Sequence, residues 1–433
     1  MLKAWQVVVL TALALLTLGV VMVNSASMEI VPKRSSASAA QPDPTPVAAQ
    51  GDPLLSVDPS RPARAHTFAE IVTSQPAKFM VIALAAMGLG ALVPVRGLAG
   101  LIGGREHEGG SRWSGMLVLA VGVVLILGVV ALVYLPGLGR EIKGAERWLR
   151  VGVPGLGRVS VQPSEIAKWA MLGVLAWYAA AAGARLGGFW AGLVPGLLGL
   201  GLVVALIVKE DLGTGALILM TGSLVLIAGG AKIWHFAALA PVGAAGVAAA
   251  IVTSEYRMQR VRTFLNDEGP FADPRGAGYH VVQSLEAVSG GGLTGRGLGY
   301  GIQKFGYLPE DTNDFIFAII CEELGAAGAA VVVSLFAALI VALSVIAVRE
   351  PSRLLKLYVI GVVSTIGIQA LINMAVVTAL GPTKGIALPL VSAGGTGWTL
   401  TCLSLGVVVS IARTQGRAEV SVFEGRGTVV TAS

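Results

Sequence analysis

Cysteine and charge are both scarce in this chain: two Cys in 433 residues, and 13% Asp, Glu, Lys and Arg together. Cys321 and Cys402 fall inside apolar runs, which excludes a structural disulfide as an organising device and leaves the redox compartment unread. His66, His107, His235 and His280 are scattered without ligand spacing, so there is no metal signal. No P-loop occurs, and no nucleotide is implied. The net charge is +6, but the positive residues are spread between apolar runs rather than along one soluble face, which removes a nucleic-acid reading. No internal repeat is visible, so an inverted-repeat transporter has no support.

What the chain has instead is apolar length: 55% of its residues are hydrophobic, and its mean hydropathy is +0.77. A membrane-spanning helix takes about 20 predominantly apolar residues. Ten such runs are read, at roughly 4–24, 77–95, 114–134, 166–183, 188–208, 212–229, 233–253, 314–347, 355–380 and 396–412. The run 314–347 is too long for one perpendicular crossing and must tilt or project. The 58 glycines suit close approach of membrane helices. The expected fold class is an all-α polytopic membrane protein of about ten helices, with a large loop between helices 7 and 8 and no room for a sizeable soluble domain.

Residues 1–27 form the first span. Lys3 and Ser25–Ala26–Ser27 would suit a cleaved signal peptide, but the apolar stretch exceeds the roughly 7–15 residues of a signal's hydrophobic region, so a retained helix is expected. Residues 28–76, rich in Ala, Pro, Ser and Asp, read as a disordered linker. Residues 77–413 read as the transmembrane core and 414–433 as a tail. Two loops stand out. Residues 135–165 carry Arg140, Lys143, Arg147, Arg150 and Arg158; residues 255–313 carry Arg257, Arg260, Arg262, Arg275, Arg296 and Lys304. A connection as long as the second is usually functional. With ten spans, both loops lie on the linker's side, opposite both termini. More Lys and Arg fall on that side, so positive-inside counting would turn it towards the cytoplasm. Either the loop charges bind something anionic or the topology is inverted.

The acids are placed where they cost most. Glu310, Asp311 and Asp314 stand directly ahead of the apolar run from Phe315, at the mouth of a span, where desolvation is expensive and a carboxylate is usually functional. Asp314 reads either as a general base for a hydroxyl proton or as a helix cap. Gln162–Pro163–Ser164–Glu165 starts another span, and Glu165 and Lys168, three apart, share a helix face. They read as a register-fixing ion pair or as the wall of a polar cavity. Asp211, in Asp211–Leu212–Gly213–Thr214, lies at a third helix mouth and joins them or caps. Arg147 beside Trp148, and Tyr256–Arg257 with Arg260, offer forked phosphate donors or lipid headgroup anchors. Glu322 and Glu323 lie about 12 Å further along the helix from Asp314 and read as structural; being adjacent, they point about 100° apart and do not easily share one partner. Gly381–Gly385 and Leu388–Gly395 form a turn-rich loop before the last span, tolerated at membrane depth only against protein or a water-filled cavity.

Taken in order, these segments resemble the SEDS (FtsW/RodA/SpoVE) family of bacterial cell-wall polymerases. The resemblance runs from about residue 5 to 412, excluding the linker. It is carried by Arg147–Trp148, Gln162–Pro163–Ser164–Glu165 with Lys168, Asp211–Leu212–Gly213–Thr214, Tyr256–Arg257 with Arg260, and Asp273–Pro274 leading to Gly276, Gly278 and Tyr279. It continues through Gln283–Ser284, Leu308–Pro309–Glu310, Asp314–Phe315–Ile316–Phe317, Glu322–Glu323–Leu324–Gly325, and Leu388–Pro389 with Ser392, Gly394 and Gly395. Gln303–Lys304, Asn313–Asp314 and Pro382–Thr383–Lys384–Gly385 are more similar to the division members than to the elongation members. Departures are Lys209–Glu210 where the family usually has Gln-Pro, Ala393 for Tyr, Thr396 for Ser, and a longer linker. They bear on the cavity more than on the reaction.

The resemblance implies ten helices in the plasma membrane, cytoplasmic termini and outward-facing basic loops. It implies a peptidoglycan glycosyltransferase acting on lipid II, with Asp314 as catalytic base. Arg147, Arg257, Arg260, Lys304, Glu310 and Ser392 are then expected at the substrate, and Glu165, Lys168 and Asp211 around the cavity; Lys304 has Glu310 as an alternative partner. It further implies a class B penicillin-binding protein as partner, beside other divisome membrane proteins and membrane lipids. A divalent cation could assist at a diphosphate, although no ligand cluster marks one. A lipid II flippase, a non-catalytic division scaffold and an elongation role remain as alternatives.

Overall fold

The computed structural model describes residues 2–28, 67–103, 112–135, 139–142, 145–153, 157–266, 268–276, 278–382 and 385–427. In chain order the helices are α1 (Ala4–Ala26), α2 (Phe68–Thr73), α3 (Gln75–Leu92), α4 (Val95–Gly103), α5 (Arg112–Ala131), α6 (Pro163–Ala182), α7 (Val194–Glu210), α8 (Leu212–Ala228), α9 (Ile233–Val252), α10 (Glu255–Leu265), α11 (Tyr279–Gly290), α12 (Ile316–Arg349), α13 (Arg353–Val377) and α14 (Gly395–Gly427). Among the described residues, nine helices are long and apolar enough to cross a membrane. The remaining expected run, 212–229, is α8; its 17 residues are apolar but give a rod of only about 25 Å at 1.5 Å per residue.

Side-chain contacts sort the helix ends into two groups. At one end, the Trp5 ring lies 5.9 Å from the Arg413 guanidinium, and Arg96 pairs with Glu350 at 2.8 Å. At the other, the Ser25 hydroxyl donates to Glu323 at 2.6 Å. Small residues permit the tightest packing: a Cβ on Gly90 of α3 or on Gly406 of α14 would run into the other helix's backbone. In contrast, α9 has no buried residue and stands at the rim of the bundle.

Residues 68–73, expected within the linker, form α2, because the N-cap Thr67 and Glu70 make a reciprocal capping box; residues 29–66 of that linker lie outside the described residues. The loop 135–165 holds an antiparallel sheet, which an all-α fold class does not include, in the order β1 (Gly139–Ile142), β2 (Ala145–Val153), β3 (Gly157–Val161), with Arg150 opposite Ser160 and Gly152 opposite Arg158. Its signal is present in the period-2 alternation of Leu149–Val153 and Gly157–Val161, with a Pro-Gly dipeptide between them in the sequence.

The overlong span is broken rather than simply tilted. Within α12, Gly325 adopts φ 67°, ψ −167°, which interrupts the helix. The backbone groups released there find partners in the glycine-rich segment 290–299. Arg296 and Gly297 donate their N–H groups to the carbonyls of Glu322 and Glu323 at 2.9 and 3.0 Å. Ala326 and Ala327 donate to Gly292 and Leu293 at 2.9 and 3.2 Å. A break at membrane depth is admissible because protein satisfies it.

Candidate active site

Asp314 stands one residue before the α12 cap, Phe315, which makes no side-chain cap hydrogen bond. It is half-buried. Its carboxylate lies against the backbone of Gly385, with Oδ2 2.6 Å from where a Cβ would stand. The turn before it starts at Glu310, whose φ of 60° is unusual for a residue with a side chain. The Glu310 carbonyl accepts from the N–H groups of Asn313 and Phe315 at 3.0 and 3.2 Å, and its carboxylate accepts from Asn313 Nδ2 at 2.7 Å. Such a conformation costs on the order of 1–3 kcal/mol and persists only where the surroundings over-determine it.

The segment 385–388 is the hub of the site. Gly385 faces Asp314. The Ile386 carbonyl accepts from Asn373 at 2.8 Å, and its side chain lies 3.0 Å from where a Cβ on Gly213 of α8 would stand. The Ala387 carbonyl accepts from Gln369 Nε2 at 2.8 Å. Gln369 in turn accepts from the Lys168 ammonium at 3.0 Å, and that ammonium donates to both Glu165 oxygens at 2.8 Å. Asp314, Lys168 and Glu165 are thereby joined in one polar system. Gln369 and Asn373 were not among the sequence candidates; their signal is two amides spaced i, i+4 inside an apolar helix, a costly placement in a membrane span.

Ser392, Lys304, Arg257 and Asp211 are each engaged by protein partners. Ser392 is 2% exposed and serves as a staple: its hydroxyl accepts from the Leu388 N–H at 2.7 Å and donates to the Asn313 carbonyl. Lys304 has a fully buried side chain, 2.7 Å from Glu323 and 3.2 Å from the Ser25 hydroxyl; its ion-pair partner is Glu323 rather than Glu310. Arg257 caps helix ends, donating to the carbonyls of Val208, Lys209 and Ala250 at 3.0–3.1 Å. Asp211 caps α8 through the Thr214 N–H and hydroxyl at 3.1 and 2.8 Å, yet also lines a hollow with Tyr134, Ser164, Glu210 and the apolar Val130, Leu206 and Ile207. Arg260 lines a second hollow with Gly381 and Pro382. Arg147 lies on β2, and its side chain is outside the described residues, as is Lys384. Glu322 and Glu323 divide their partners as adjacent helical residues must. The first accepts from the N–H groups of Ile302 and Gln303, at 2.8 and 3.2 Å; the second takes Lys304, Ser25 and the Gly299 N–H. Among the described residues no group of three or more His, Cys, Asp or Glu is placed to hold a metal.

Removing one member of the Lys304–Glu323 pair leaves a buried charge. Lys304→Ala is expected to destabilise the protein by roughly 3–5 kcal/mol, read as a lower thermal midpoint in detergent; adding Glu323→Gln should recover part of it, and a wild-type midpoint for Lys304→Ala would refute the assignment. Asp311, beside the site, has its carboxyl pushed up from 3.8 to about 6, chiefly by burial, against the opposing effects of the Thr312 N–H and Lys304. A raised folded-state value means that the stability this group contributes is fully present below about 3.8 and is lost as pH rises through about 6. Asp311→Asn should therefore be more stable than wild type above pH 6 and indistinguishable near pH 4 in a melting series across pH; no difference at either end would contradict the burial.

The fold and site define a polytopic α-helical membrane protein with an acid held at the mouth of a broken span, against an irregular loop. Residues 114–417 match the FtsW/RodA/SpoVE family, described as cell cycle proteins, and the chain belongs to that family. It is 38% identical over 303 residues to stage V sporulation protein E of Bacillus subtilis, covering 70% of this chain and 79% of that one. It is 33% identical over 408 residues to a probable peptidoglycan glycosyltransferase FtsW of Thioalkalivibrio sulfidiphilus, covering 93% and 88%. The fold is shared with the solved structure of Thermus thermophilus rod shape determining protein RodA, at TM-score 0.55 and 21% identity over 94% of this chain and 96% of that one. It is also shared with a chain of a peptidoglycan synthase complex, at TM-score 0.60 and 23% identity over 80% and 94%.

Proposed function

We propose that this protein is a peptidoglycan glycosyltransferase that polymerises lipid II at the outer face of the plasma membrane during cell division. The family membership and the names of its relatives support the reaction class. The observation that carries the assignment to residues is the placement of Asp314, at a helix mouth with its backbone clamped on two sides. In the reaction, the acceptor's GlcNAc 4-hydroxyl oxygen attacks the anomeric carbon of the donor MurNAc. The hydroxyl proton passes to the Asp314 carboxylate. The bond to the diphosphate breaks, and undecaprenyl diphosphate leaves with the electron pair, giving an inverted β-1,4 link. Arg260, and Arg147 from the sheet, are the cations proposed to meet the diphosphate and stabilise its developing charge. Lys168, Glu165 and Asp211 shape the polar wall, and Lys304, Arg257, Glu310 and Ser392 hold the backbone that carries the base.

In this reading ten helices cross the membrane, the termini are cytoplasmic, and the sheet, α10, α11 and Asp314 face outwards. A class B penicillin-binding protein would crosslink the new glycan, with other divisome membrane proteins and lipids as further contacts. A flippase would need a receptive site at depth, but each of the three donors of the deep Lys168 ammonium already has an acceptor in Glu165 or Gln369. The test is reconstitution into liposomes carrying lipid II, reading polymer and head-group translocation together. Polymer without translocation above protein-free vesicles is expected; translocation without polymer would overturn the proposal.

A further inference from the structure

We infer that Asn373, backed by Gln369 one helical turn away, is a positioning residue that fixes the Asp314 carboxylate by tying together the two backbone segments flanking it. The inference rests on Asp314 being the base. Asn373 Nδ2 donates to the carbonyl of Asp314 at 2.7 Å and to that of Ile386 at 2.8 Å. The first segment carries the carboxylate. The second continues from Gly385, the backbone against which that carboxylate rests. One amide thus sets the gap in which the base sits. Its orientation is unambiguous, because a flipped amide would turn Oδ1 towards two carbonyl oxygens.

Two further observations separate this from ordinary packing. Asn373 is 2% exposed and its Oδ1 is buried with no hydrogen-bond partner among the described residues. An unsatisfied buried acceptor destabilises a fold, so a residue serving stability alone would be better replaced by an apolar one. Gln369 then repeats the arrangement four residues earlier: it donates to Ala387 and accepts from Lys168. The position of 385–387, and with it the base, is referred to the Glu165–Lys168 pair on α6. A pair buried this deeply gains little for stability by itself; here it acts as a fixed reference for the catalytic loop. Gly385 completes the device, since any side chain there would displace the carboxylate.

The variants are Asn373→Leu and Gln369→Leu, which keep bulk in an apolar helix and remove the donors. Each is made in the full-length protein, co-expressed with its class B partner, and assayed for polymerisation of lipid II beside wild type, Asp314→Asn and the double variant Asn373→Leu with Asp314→Asn. A displacement of about 1 Å costs on the order of 10²-fold in rate. For Asn373→Leu a fall in kcat of roughly 10- to 100-fold is expected with KM within about twofold, and no further loss when it is added to Asp314→Asn, because both act through the same group. Gln369→Leu should show the same split with a smaller fall. Wild-type kcat in Asn373→Leu, a loss confined to KM, or losses that multiply in the double variant would overturn the inference. If Asn373→Leu does not elute as an intact complex, Gln369→Leu decides: unchanged kcat overturns it. Full activity in Asp314→Asn would instead remove the base assignment itself, whatever Asn373 does.

Discussion

Asp314→Asn lowers the rate of glycan polymerisation by about 10²- to 10⁴-fold, the range a positioned general base supplies, while the protein elutes and melts like wild type. The separation is expected because the main-chain carbonyl of Asp314, which accepts from Asn373 and helps hold the loop, is left in place by the substitution. The amide occupies the same space beside Gly385 but cannot take the hydroxyl proton. Asp314→Glu restores the carboxylate yet adds a methylene on a side already 2.6 Å from the position of a Gly385 Cβ, so it too stays well below wild type. Rates are read from a gel of labelled glycan products at matched protein concentration. Equal products from wild type and Asp314→Asn would take Asp314 out of the chemistry.

Gly325→Ala prevents stable folding. At φ 67°, ψ −167° the backbone is in a region open essentially to glycine alone, at a cost on the order of 1–3 kcal/mol for any other residue. A Cβ there would also run into the backbone of Gly295 and Leu293. The four hydrogen bonds that bridge the helix break depend on that approach, and they fix the loop that leads through Lys304 and Glu310 to Asp314. The variant should therefore fail to accumulate as a monodisperse species. Gly367→Ala, in the neighbouring helix α13, is the control: the nearest neighbour of its added Cβ is the tip of the Ile340 side chain at 3.5 Å, an ordinary contact. Equal yield and melting of Gly325→Ala and wild type would contradict the broken-helix geometry.

Much of the architecture is written in apolar length, because a membrane crossing imposes both a minimum run and a polarity. That is why the span positions are legible, and why Asp314, Glu165, Lys168 and Asp211 stand out as charges at helix mouths. What is not legible follows from the same physics. The break in α12 leaves the apolar run continuous, and only Gly325 with the facing glycines of 290–299 hints at it. The sheet of residues 139–161 is short and Arg-rich, so its alternation is masked by charge. The roles of the cations depended on partners distant in sequence. Lys304 meets Glu323 and Ser25, and Arg257 meets the ends of two other helices. Neither pairing follows from motif order. The family resemblance puts Ser392 at the substrate, and nothing in the motif shows that its hydroxyl also ties the loop to Asn313.

The most direct test of the central claim is incubation of the purified full-length protein, in complex with the proposed penicillin-binding partner, with labelled lipid II and no nucleotide. The account predicts long β-1,4-linked glycan, with one undecaprenyl diphosphate released for each bond formed. An intact complex that binds lipid II and yields no polymer under these conditions would contradict it.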